Sequence, residues 1–442
     1  MARSTLLRWA VQSLGPTMAL KRSAKAGEIG PRLATDVTTW HDPIPWYDAM
    51  RAQGELYAGK VVHATASHAV SSEVLRSPVF RVGFTAESLP PVARGLVRLA
   101  FDDRYPGPAE PPSMLAVDPP QHTKYRRLVS KVFTARAVAA LEPRVEQIAD
   151  ELLDQMAQTS TQHDSLDLVK HYAEPLPVRI IAEILGIPPH MHAQLVEWGN
   201  AAAVTLDPAL SYPVFKRAAA ALREMHLWLD QHLNELRRNP GDDLMSKLAV
   251  LMDEGESLNQ VELCSVALLV TGAGFETTVN LISNGVMALL QHPDQLEILR
   301  NDPSLWENAA DEVLRWDSPV QATARFAAED TEVCGHPVAK GRFVTIMLAG
   351  ANRDPEVFVN PHDFDVRRAN ARDHLGFSAG IHFCLGASLA RLEGAVALRK
   401  LFERFPDLAL DGVPTRRPLR VLRGFEHFPV RTNLREGAVS PA

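Results

Sequence analysis

The stretch GFSAGIHFCLG, residues 376–386, sets one cysteine, Cys384, in a loop crowded with glycine and flanked by phenylalanine. Cysteine is rare in this chain: Cys264, Cys334 and Cys384 are all there is. The residues that follow, LGASLARLEGAVALRKLFERF, repeat apolar positions with a helical period. Cys384 therefore stands at or just before a helix N-terminus, where the macrodipole and free backbone N–H groups favour a thiolate. Gly380 and Gly386 suit tight turning and close approach of the backbone to a flat ligand. Three readings of the thiol are open: a small buried hydrophobe, a nucleophile, or a ligand to a group the sequence does not display. A nucleophile wants a positioned base, and His382, two residues away on the same loop, is poorly placed for that.

Composition bounds the rest. The 442 residues are 46% hydrophobic and 22% charged, ordinary proportions for a soluble globular protein. The cysteines lie far apart, lack the spacing of a zinc site and are too few for a disulfide framework, so a reducing cytoplasm is the expected home. A formal net charge of −7 argues against broad nucleic-acid binding. The early apolar run STLLRWAVQSLG is interrupted by Arg8 and Gln12, too short and polar for a transmembrane segment and a poor match to a signal peptide. Residues 1–35, with Arg8, Lys21, Arg22 and Lys25, read as an N-terminal extension carrying an amphipathic helix. That helix is expected to pack on the protein rather than on a membrane.

Prolines mark joints between long helical patterns, among them one from about Leu141 to Met156 and another beginning at Tyr212 and ended by Asn239–Pro240–Gly241. Strand signals are fewer: KVVHATAS, RFVTIMLAG and EHFPVRTN. The expected fold is mainly α with small β-sheets. One helix, from about Leu258 to Leu290, is apolar on nearly every face and should cross the core. Yet Gly272, Gly274, Glu276, Thr277 and Thr278 sit at its centre, and a carboxylate there is costly unless hydrogen-bonded or hydrated. Either the helix kinks there, or a groove packs something against its backbone beside a proton-handling pair.

A thiolate ligand to haem iron, with His382 turned towards an acidic edge of the ring, fits the loop's spacing better than a nucleophile does. FSAGIHFCLG closely resembles the haem-binding signature of the cytochromes P450, Phe-Gly-x-Gly-x-His-x-Cys-x-Gly, with Phe377, Gly380, His382, Cys384 and Gly386 in register and Ser378 in place of the first glycine. Other matches follow in order. EVLR resembles the family's Glu-x-x-Arg pair, which implies a buried structural role for Glu312 and Arg315. SPVQATARFA resembles the segment whose arginine binds a haem propionate, here Arg325. DPPQHTKYRRLV looks like the start of the proximal helix, and His122 and Arg126, four apart, share one face towards the propionates. AGFETT resembles the central-helix motif, which makes Thr277 the oxygen-activating threonine and Glu276 its acid partner, with Gly274 leaving room for O2.

The resemblance spans about Asp118 to Phe428. It implies the single-domain cytochrome P450 fold over residues 36–442, a triangular helical prism around a buried haem b (iron protoporphyrin IX). It implies a monooxygenase acting on a hydrophobic small molecule such as a lipid, terpenoid or sterol. Cys384 is then the axial ligand, and a ferredoxin with its ferredoxin reductase supplies electrons to a monomer. Leu269 and Ala273 should line the distal wall, joined by Val92 and Leu96 from SLPPVARGLVRLAF and by Phe425 from GFEHF. Lys124, Arg126, Arg127, Lys131 and Arg136 form a basic stripe fit to dock an acidic ferredoxin. A peroxygenase would not need Glu276 and Thr277, and a non-catalytic haem-binding or recruitment protein tends to lose the cysteine or the acid–threonine pair. A cysteine hydrolase would need a distant His and Asn or Asp to converge on Cys384.

Overall fold

The computed structural model describes residues 2–82, 104–253 and 258–432. Its centre is the helix Gln260–Gln291, starting two residues inside the expected boundary. Asn259 caps it: its side chain accepts the Glu262 N–H (3.0 Å) while Glu262 accepts the Asn259 N–H (2.8 Å). This helix is long and apolar enough to cross a membrane, but 78% of its most apolar window is buried inside the protein. Helices Pro175–Leu185, His192–Val204, Tyr212–Arg238 and Ala387–Arg404 pack around it.

Glycines set how close these helices come. A Cβ on Gly199 would lie 2.1 Å from the ring of Phe275, and one on Gly274 would lie 2.6 Å from Ile181 Cγ1. The two helix crossings therefore need glycine for space and not for backbone freedom. The periodic segment at Leu141 becomes the helix Glu142–Ser160, whose Val145, Ile148, Leu152 and Met156 are buried.

The sheets are small. The largest orders His63–Thr65, Phe343–Ile346, Thr323–Ala327 and Phe80–Arg81, the first pair parallel and the others antiparallel. Its register sets Arg325 opposite Val344. The C-terminal strand signal divides into Phe425–His427 and Pro429–Arg431, which pair in two different sheets.

One buried ionic knot fixes the approach to the cysteine loop. Arg315 grips both carboxylate oxygens of Glu312 (2.7 and 2.8 Å), and Arg368 reaches the same oxygens at 3.2 Å. Arg315 also donates to the carbonyls of Asn352, Pro361 and Asp363. Glu312 and Arg315 are both fully buried, so each charge depends on the other and on those carbonyls. Arg353 lies over the Trp316 ring (4.7 Å) and donates to its carbonyl, fastening the same segment.

Candidate active site

The loop 376–386 is held from several sides. Asn352 Oδ1 accepts the Leu375 N–H at 2.6 Å, and the His374 ring links Asp311 (3.2 Å) to the Gly376 N–H (3.0 Å). Gly380 has φ +69°, and a Cβ there would strike the Leu75 carbonyl at 2.4 Å. The Cys384 N–H donates to the Phe377 carbonyl at 2.9 Å, while Phe377 lies under the Arg391 guanidinium. Cys384 emerges just before the helix Ala387–Arg404, as its sequence position predicts.

Cys384 borders a cavity of about 1150 Å³. Burial raises its thiol pKa, opposed by the Gly386 N–H and by the Arg126 and Arg391 charges, all of which favour the thiolate. No Cβ contact would arise at Gly386 within 4 Å, so the cavity floor beside the cysteine is open.

His122, Arg126, Arg325 and His382 line the same cavity. The His122 and His382 rings lie 4.2 Å apart, and His382 Nε2 is buried without a hydrogen-bond partner among the described residues, 3.9 Å from Asp118. Burial, the neighbouring His382 and Arg126 push the His122 pKa down to about 4. Arg325 is buried and anchored at Nη1 to Thr323 Oγ1 (3.1 Å) and the Ala324 carbonyl (2.8 Å). Burial lowers its pKa to about 10, against the opposing field of Asp118. Cationic and donor groups thus converge on one wall of the cavity. A flat dianionic macrocycle with an iron to be ligated fits this set: open floor, one thiol, and donors waiting for carboxylates.

The central helix supplies the opposite chemistry. Leu269, Ala273 and Thr277 line the cavity, as their four-residue spacing predicts. Thr277 Oγ1 donates to the Ala273 carbonyl at 3.2 Å. Glu276 is buried and ion-paired to Arg417, which also donates to Asn200 Oδ1 (2.6 Å); the Glu276 Oε2 has no hydrogen-bond partner among the described residues. Burial raises the Glu276 pKa and Arg417 pulls it back.

Three expectations need correction or fall elsewhere. Gly274 borders the cavity, but its missing side chain makes room for Ile181 of the neighbouring helix rather than for O2. Phe425 does not line the cavity: it is buried, with Arg416 over its ring and Phe428 packed edge-on. Val92 and Leu96 lie outside the described residues.

The sequence reading also missed a group. The run TRRPLRVLR, residues 415–423, brings Arg416, Arg417, Arg420 and Arg423 to the cavity wall. Arg416 and Arg423 both pair with Asp317. Four arginines in nine residues was the available signal, but no local pattern tells which acid each one meets.

These features define a helical protein with a cysteine ligand loop, cationic anchors and an acid–threonine pair around one cavity. Comparison with known proteins gives the family. The sequence profile described as Cytochrome P450 matches residues 103–420. Cytochrome P450 140 of Mycobacterium tuberculosis is 46% identical over 94% of this chain and 95% of its own length. The 6-deoxyerythronolide B hydroxylase of Saccharopolyspora erythraea is 44% identical over 71% of this chain and 76% of its own. The crystal structure of Mycobacterium smegmatis CYP164A2 superposes with a TM-score of 0.81 at 34% identity, covering 91% of this chain and 99% of that one. The chain belongs to the cytochrome P450 family. It is a haem-binding monooxygenase that uses O2, a redox partner and a small-molecule substrate.

Proposed function

We propose that the protein hydroxylates a hydrophobic small molecule of the lipid, terpenoid or sterol kind, with Cys384 as the thiolate ligand of haem iron. One observation carries the reading: Cys384, the cationic anchors and the Glu276–Thr277 pair all border a single cavity. Haem, when bound, would supply the redox chemistry that activates O2, and a thiolate ligand suits it to that task.

The chain's residues do the rest. Burial raises the Cys384 thiol pKa, and the Gly386 N–H, Arg126 and Arg391 work against it in favour of the thiolate that would ligate the iron. His122, Arg126, Arg325 and His382 would hold the haem propionates, and Phe377 and Gly386 would shape the floor beneath the ring. Thr277, released from the Ala273 carbonyl, donates its hydroxyl proton towards the distal side of the cavity. Glu276 replenishes that proton, and Arg417 governs how readily it does so. Leu269 and Ala273 seat the apolar body of the substrate.

An acidic ferredoxin with its ferredoxin reductase is the proposed electron source, supported by the basic side chains at Lys124, Arg127, Lys131 and Arg136, whereas Arg126 lines the cavity instead. The relative named as a 6-deoxyerythronolide B hydroxylase supports hydroxylation as the reaction. Sparse cysteines support a reducing cytoplasmic home; we further take the protein as a monomer with residues 36–442 as its catalytic unit. The test is the carbon monoxide difference spectrum of the reduced protein. A Soret band at the red-shifted position of thiolate ligation, lost in Cys384→His, is expected. The same red-shifted band persisting in that variant would overturn the assignment of the ligand.

A further inference from the structure

The helices Ala2–Trp9 and Gly15–Lys25 run into one another through a wider π-helical turn at Ala10–Leu14. One side of this segment is fastened to the protein. Trp9 Nε1 donates to the Leu210 carbonyl (2.8 Å) and its ring meets Tyr212 edge-on. Arg8 and Gln12 both bind Glu110, while Ser13 and Ser23 are buried.

The other side is apolar and open. Leu6 is 47% exposed and Met18 64%, with Leu14 between them and Pro16 and Ala19 also exposed. Pro16, Ala19 and Leu20 at the same time line the active-site cavity, so the cavity opens to solvent along this helix. Val37, Val61 and Leu115 line it too and are themselves exposed, Val37 at 56%. Six exposed large apolar side chains thus gather on this segment and around this opening, where single scattered ones need no explanation.

Charge completes the pattern. Residues 1–27 contain five basic residues and no acidic one, in a chain whose net charge is −7. Lys21, Arg22 and Lys25 are exposed directly after the apolar turn. Of the acids in neighbouring segments, Glu28 is buried against the Lys60 N–H, Glu110 is engaged by Arg8 and Asp36 by Arg32, while Asp42 is exposed. An apolar strip collared by cations fits a surface with an apolar interior and anionic headgroups.

We propose that this face docks the cavity opening onto an anionic lipid bilayer, so that an apolar substrate passes from lipid into the protein without crossing water. The passage of substrate rests on the hydrophobic-substrate reading above, whereas the docking does not.

Sedimentation with vesicles, in the absence of substrate, tests the docking. The full-length haem-loaded protein should co-sediment with vesicles of equal parts phosphatidylglycerol and phosphatidylcholine, and about tenfold less with phosphatidylcholine alone. Leu14→Glu combined with Met18→Glu, and separately Lys21→Glu combined with Arg22→Glu, should each weaken binding about tenfold while leaving the carbon monoxide spectrum unchanged. Protein that stays in the supernatant with anionic vesicles overturns the proposal, as does binding that neither double variant weakens. A dimer in lipid-free solution that Leu14→Glu with Met18→Glu dissolves would also overturn it, by naming a second copy of the chain as the occupant.

Discussion

Ser378 is where the cysteine loop departs from the family signature, and its backbone carries the cost. Its φ is +60°, a region where a Cβ is crowded, and its hydroxyl is buried with no hydrogen-bond partner. Left-handed backbone costs an ordinary residue about 1–2 kcal/mol, and an unsatisfied buried hydroxyl about 1–3. Against this, glycine loses about 0.5–1 kcal/mol more chain entropy on folding than a residue with a side chain. The balance favours Ser378→Gly by about 1 kcal/mol or more, to be read as a higher urea midpoint of the haem-loaded protein. A midpoint that falls would mean that the serine side chain makes a compensating contact. Gly380, two residues on, allows no such trade, because any side chain there meets the Leu75 carbonyl.

Between elements, tight crossings and one charged corner decide stability. Gly199→Ala drives a methyl into Phe275, a fully buried ring, and should cost about 1–3 kcal/mol. Phe275→Leu in the same chain should return part of that loss, giving a favourable coupling energy in a double-mutant cycle; simple additivity would place the strain elsewhere. At the end of the helix Trp306–Trp316, Asp317 meets Arg416 at 2.9 Å and Arg423 at 2.7 Å. Burial alone would raise its pKa, but the two guanidiniums outweigh it and hold the value at about 2, below the ordinary 3.8. A carboxylate whose pKa falls on folding stabilises the protein above its unfolded pKa. That stability drains away as pH drops from about 4 to about 2. The shift corresponds to on the order of 2 kcal/mol. Asp317→Asn should therefore flatten the acid limb of the stability curve in this window, as followed by denaturant unfolding at several pH values. An unchanged limb would assign it to other carboxylates.

For the molecule as a whole, what could be read from sequence was what is local in sequence. The cysteine loop, the Glu312–Arg315 pair three residues apart and the long central helix each declare themselves within a few turns of chain, and each stands where its pattern put it. Arg417 meets Glu276 across 141 positions and Arg368 meets Glu312 across 56, and nothing in either stretch names its partner. Phe425 was misread for the same reason: an apolar residue near a pocket and one beneath it look alike until Arg416 is seen to cover it. The same distant convergence brings His122, Arg126, Arg325 and His382 to one cavity wall, and it makes the wall's purpose testable. His122 crowded by Arg126 and His382, and a buried His382 Nε2 with no acceptor among the described residues, cost stability, so the haem-free protein should unfold at lower denaturant than the loaded one. Binding at about a thousand times the dissociation constant adds about 4 kcal/mol. If these side chains read carboxylates, hemin dimethyl ester, which has the same ring and iron but no propionate charge, should recover much less of that stability. Each lost charge-assisted hydrogen bond is worth about 1.5–3 kcal/mol. Arg325→Gln should narrow the gap between hemin and its ester, since it removes one of the groups that tells them apart. Equal stabilisation by acid and ester would mean that the ring's apolar faces hold it in place, and that the cations of this wall serve the fold instead.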